Sequence, residues 1–79
     1  MKYYLDTIEQ VKAETGANEY GKREKYNDID SAEVSFYNKC ANVRNDIGEG
    51  KNHYYMDIRI VDTTGGVLKK DKIGKMVEE

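Results

Sequence analysis

The chain has no proline, a single cysteine, a single histidine and no excess of positive charge. Each scarcity removes a class of protein. With one cysteine no disulfide can close within the chain, so nothing points to an oxidising compartment. One cysteine and one histidine cannot furnish a structural zinc site either. Asp57, Asp62 and Asp71 lack the spacing of a calcium loop. No metal and no other cofactor is therefore expected. The formal net charge of -2 lacks the clustered basic excess that binds a phosphate backbone, and it falls far short of a polyacidic DNA mimic. Nucleic acid is thus an unfavoured partner. No apolar run approaches the roughly 20 residues of a membrane span. The segment Met1-Lys2-Tyr3-Tyr4-Leu5-Asp6 has no apolar stretch of the signal-peptide kind. The cytoplasm is the expected compartment, with no membrane partner.

What is present describes a thin-cored domain. The 79 residues suit one domain, 1–79. Apolar residues make up 38% and charged residues 35%, so the core is one layer of helix on one sheet, or two such layers in a dimer. Seven tyrosines add large rings whose hydroxyls can stay at the edge. The aromatic content and the periodic apolar blocks separate the chain from disordered sequences.

The periodicity predicts one helix over about residues 31–46. Asp30-Ser31-Ala32-Glu33 reads as a capping box, and Ile29 with Val34 reads as a hydrophobic staple. Ala32, Phe36, Cys40, Val43 and Ile47 then recur at helical spacing, with Tyr37 and Ala41 widening the stripe. Gly48 is the expected left-handed stop. His53 to Asp62 alternates strictly and predicts a strand. Tyr54, Met56, Ile58 and Ile60 face the helix; His53, Tyr55, Asp57 and Arg59 face away. Thr63-Thr64-Gly65-Gly66 is a hairpin turn leading to a strand over about 67–73. Lysines at 69, 70 and 72 suit an edge strand there. At the other end, strands over about 3–12 and 19–26 flank a turn at Glu14–Asn18. The second of these is also charged and edge-like. The broken alternation of the first points to a bulge or to burial on both faces. Residues from about Met76 onward are expected to fray. The resulting class is α+β: a ββαββ chain whose four-stranded antiparallel sheet carries one helix on one face.

Three stretches give this layout a family likeness. They are Tyr3-Tyr4-Leu5, the segment from Ile29 to Asn38, and Val61-Asp62-Thr63-Thr64-Gly65-Gly66-Val67-Leu68-Lys69. The chain resembles small accessory proteins encoded by phages and mobile elements of Firmicutes. It departs from them after Leu68, where a lysine-rich ending replaces an aromatic one. The resemblance implies an accessory protein that inhibits or sequesters host factors; it assigns no functional residue.

Residue chemistry offers little for catalysis. A triad would need His53 with Ser35 or Cys40 and a carboxylate such as Asp57. Cys40, however, lies on the apolar stripe, where a thiol is packing. Gly48-Glu49-Gly50-Lys51 follows a helix instead of preceding one and has the wrong spacing for a phosphate loop. Lys22-Arg23-Glu24-Lys25 and Lys69-Lys70-Asp71-Lys72 read as solvated edge strands, with a nucleic-acid surface as the rival reading. The far face of the 53–62 strand, with His53, Tyr55, Asp57 and Arg59, has the composition of an interface. The expected function is non-enzymatic: binding another protein, or a second copy of itself as a homodimer, through the open sheet face or an edge strand. The alternatives are a nucleotide-sequestering or regulatory protein with a pocket between protomers, and a weak nucleic-acid binder.

Overall fold

Alternation and helical periodicity translate into five elements in the computed structural model, which describes residues 2–76: β1 (Tyr3–Ala13), β2 (Gly16–Tyr26), α1 (Ile29–Gly48), β3 (His53–Asp62) and β4 (Val67–Gly74). The strands form one antiparallel sheet in the order β2-β1-β3-β4, so the two hairpins meet along a central β1–β3 seam. The two lysine-rich strands, β2 and β4, are the edges. Among the described residues no helix is long and apolar enough to cross a membrane. The expected frayed tail lies outside the described residues, apart from Met76, which is exposed.

The core forms where the helix stripe meets the inward rows of the central strands. Ala32, Phe36, Cys40 and Val43 pack with Met56, Ile58 and Ile60, joined by Leu5 from β1 and Ile73 from β4. Ile47 and Ile29 close the two ends of the helix against this cluster. Burying each such aliphatic or aromatic side chain contributes on the order of 1.5–3 kcal/mol. Burial and the charge of Asp71 push the Cys40 thiol above its usual range, so this cysteine acts as packing, not as a nucleophile. Tyr54, expected in the inward row, is only half-buried, because it is the extra residue of a bulge between Gln10/Val11 and the β3 strand.

Several boundaries differ from the sequence expectation for identifiable reasons. The helix is capped by Asp28, not Asp30. Asp28 has extended backbone, and its carboxylate accepts from the Ser31 amide at 2.8 Å and from the Ser31 hydroxyl at 3.0 Å. These bonds hold the Asp28 carboxyl below its usual range. Glu33 thus plays no capping-box role, and Asp30 sits in the first turn. Val34 is exposed, so the Ile29–Val34 staple does not form, and Tyr37 and Ala41 also face solvent. Gly48 stays helical; the chain turns left-handed two residues later, at Gly50 with φ 68°. The first hairpin is tighter than expected: Ala13 already pairs with Gly16, leaving only Glu14 and Thr15 to turn. In the second, Asp62 builds the turn by accepting from the Thr64 hydroxyl, the Gly66 amide and the Thr64 amide, while Gly65 takes φ 86°.

One buried group is left without a partner. Thr7 faces the helix between Lys22 and Ile58, and its Oγ1 is buried with no hydrogen bond among the described residues. An unsatisfied buried hydroxyl costs about 1–3 kcal/mol. Thr7→Val should therefore raise stability by about 1–2 kcal/mol, read from the urea midpoint at constant slope. A loss of stability instead would mean that the hydroxyl is satisfied in solution.

Candidate functional site

The face of the sheet opposite α1 is built by alternation along the four strands, interrupted by surplus residues at Tyr54 in β3 and Leu68 in β4. From β2 to β4, Lys25, Tyr4, Val61 and Val67 form one cross-strand row, and Arg23, Asp6, Arg59 and Lys70 the next. Gly21, Ile8, Asp57 and Lys72 follow, and Glu19, Gln10, Tyr55 and Gly74 close the series. Among the described residues no element covers this side; α1 lies on the other, mainly over β3.

Two arginines organise the second row. Arg23 donates to both oxygens of Asp6, each at 2.6 Å, and its guanidinium lies 4.6 Å from the centre of the Tyr4 ring. Arg59 donates to Asp57 along its own strand, at 3.1 and 3.4 Å. These hydrogen bonds push both guanidinium groups above their ordinary values. Tyr55 gives a long 3.5 Å bond to Asp57, and burial, followed by the Asp57 charge, pushes its phenol up. Lys70 and Lys72 make no side-chain ion pair among the described residues. With Asp57, Arg59 and Asp71 they line a shallow cleft of about 340 Å³ at the β3–β4 side. Asp71 is held from behind by Arg44 of the helix at 2.8 Å.

Charge and exposure on this face differ from a simple reading of β3. Tyr55, Asp57 and Arg59 do share the open face, but Tyr55 is only 7% exposed, hemmed in by its neighbours, and Val61 is equally covered. The accessible charged groups are Arg59, Lys70 and Lys72 of the β3–β4 hairpin and, beyond β1, Arg23, Lys25 and Glu19 of β2, which joins this face only through the strand order. That order is invisible in local alternation. The accessible apolar groups are Ile8 and Val67.

His53 is not part of this surface. The bulge at Tyr54 reverses the alternation, so His53 pairs with Val11 and turns to the helix side. There its Nδ1 lies 2.8 Å from Asp46 and its Nε2 3.2 Å from Glu9. The imidazole thus ties the last turns of α1 to β1. Ser35 instead bonds Tyr26 at 2.6 Å, and Cys40 packs in the core. Although two carboxylates meet one histidine here, they occupy opposite edges of the ring, and no group of three or more His, Cys, Asp or Glu among the described residues is arranged to hold a metal ion.

No family model, curated protein or solved structure compared with the chain matches it.

Proposed function

We propose that the chain is a small non-catalytic binding protein that engages an acidic protein surface through the open face of its sheet. What supports this reading is a segregation of charge. The whole chain carries a formal net charge of -2, yet on this face Arg23, Lys25, Arg59, Lys70 and Lys72 outnumber Asp6, Glu19 and Asp57. Lys70, Lys72 and Arg59 converge on one cleft, and Val67 and Ile8 supply accessible apolar contacts beside it. Such a mixture steers a partner by charge and holds it by apolar burial. It suits an inhibitor or adaptor of the kind found among phage and mobile-element accessory proteins, and cytoplasmic action fits that role.

A nucleic-acid partner would use the same cations, but single-stranded readers also need accessible rings on which bases stack. Here Tyr55 is covered and Tyr4 lies against the Arg23 guanidinium. That difference favours a protein.

The test is the double variant Arg59→Glu/Lys70→Glu. Both side chains are exposed, so the melting temperature should stay within a few degrees of wild type. Affinity purification from the native host should lose the wild-type partner, and the purified pair should bind at least tenfold more weakly. Unchanged affinity, or replacement of the protein partner by labelled single-stranded oligonucleotide as the tighter ligand, would reject the reading.

A further inference from the structure

The outward side of α1 breaks the pattern of the rest of the surface. Over a third of the chain is charged, 35%, yet the exposed positions between Glu33 and Arg44 are Val34, Tyr37, Asn38, Ala41 and Asn42, with Asn45 one place beyond. None carries a charge. A solvated helix face is normally filled with Glu, Lys, Arg or Ala, which also favour the helix, whereas asparagine is a poor helix former. Three exposed asparagines on one face are therefore a local conflict, and conflicts of this kind gather where a surface has another task. The amide side chains of Asn38, Asn42 and Asn45 make no hydrogen bond among the described residues.

Tyr37 is the anchor of this strip. It is 53% exposed, yet its ring is fixed edge-on against Phe36 at 5.5 Å, lies under the Lys69 ammonium at 4.8 Å and accepts a hydrogen bond from the same lysine. An exposed ring that is already immobilised loses little freedom on being covered. Val34, 60% exposed, adds a second apolar contact, and Ala41 leaves room for close approach of another backbone.

We infer that this strip packs antiparallel against α1 of a second copy of the chain. Three features select that occupant. The side chains that α1 contributes to the strip carry no charge, and the cation over it, the Lys69 ammonium at its β4 edge, is held on Tyr37 of its own chain. Its amides both donate and accept, so the surface is complementary to itself, as a twofold interface requires. Charge completes the fit: Glu33 borders one end and Arg44 the other, about 16 Å apart along the axis. Antiparallel pairing sets Glu33 of each copy across from Arg44 of the other. Arg44 uses one nitrogen for Asp71, and its other nitrogens make no hydrogen bond among the described residues. This surface lies on the side of the domain opposite the open sheet face, so the inference does not depend on the proposed partner site. A dimer formed this way leaves both sheet faces open and presents two of them.

One helix pair covers a modest area, so association is expected at roughly tens to hundreds of micromolar. Sedimentation equilibrium of the full chain should show a monomer–dimer equilibrium in that range. Ala41→Glu, at an exposed position that favours a helix former, should weaken dimerisation at least tenfold, with far-UV circular dichroism of the dilute protein unchanged. Asn38→Ala/Asn42→Ala gives a readout that a merely solvated face would not: the dilute monomer melts a few degrees higher while the dimer weakens. Arg59→Glu/Lys70→Glu should leave the equilibrium unmoved. A wild-type chain that stays monomeric up to about 1 mM overturns the inference. So does a dimer indifferent to Ala41→Glu, or one abolished by the sheet-face variant.

Discussion

Phe36→Ala should remove about 3–5 kcal/mol of stability, and Phe36→Asp should abolish cooperative unfolding altogether. Phe36 is 3% exposed and stands at the centre of the helix stripe, in the cluster that includes Met56, Ile58 and Ile60, each fully buried. Its truncation opens a cavity between the two layers, and a helix resting on a sheet through one stripe has little else with which to fill it. A domain of this length holds on the order of 4–12 kcal/mol in total, so the alanine variant sits near the edge of unfolding at room temperature. Urea titration followed by circular dichroism measures the effect. A loss below about 1 kcal/mol would show that the helix does not seat on β3 as described.

The second large effect belongs to Gly74→Ala, with an expected loss of about 2–4 kcal/mol. Gly74 closes β4 opposite Tyr55 with φ 79°, in the left-handed region. A Cβ there would press against the Tyr54 carbonyl oxygen and lie 2.8 Å from Ile47 Cδ1. The carbonyl is backbone, held where it accepts from the Lys75 amide at 3.1 Å, while Ile47, partly buried against the core, would have to turn aside. Backbone strain and overpacking therefore add. Gly48→Ala is the natural control, because Gly48 is helical and a Cβ there meets nothing within 4 Å. That variant should gain about 0.5–1 kcal/mol. Equal effects at the two glycines would refute the distinction.

The layout could be read from the sequence wherever a period was long and uninterrupted. The stripe Ala32–Phe36–Cys40–Val43 and the row Met56–Ile58–Ile60 specify their own faces, and those faces meet. Details failed where two local solutions looked alike. Asp28 and Asp30 both precede a helical pattern, and the choice falls to Asp28 because Tyr26 is still paired with Tyr3 just before it. His53 and Tyr55 share a parity in the sequence, and only an inserted residue separates their faces. On the candidate site, alternation was enough to align Asp57 with Arg59. The hairpin turn put β4 and its lysines beside them, but nothing local could show that β1 would lie on their other side and bring Arg23 of β2 into the same row, because strand order is a property of the whole chain. Nor could alternation show Tyr55 being covered, which depends on neighbours from three strands. Gly74 falls just past the strand expected over about 67–73; only the nearby carbonyl and Ile47 reveal why no side chain fits.

The two irregularities in the ladders sit at opposite ends of the same strand. Tyr54 is surplus against β1 where β3 begins, and Leu68 is surplus against β3 where β3 ends. A central strand sliding by one step would bring Met56, Ile58 and Ile60 into water. Here such a slide would have to drag a misfit past a neighbour at each end simultaneously, in two different ladders. The paired irregularities therefore work as a start stop and an end stop, fixing the frame of the strand more firmly than its hydrogen bonds, which any frame could satisfy, would do alone.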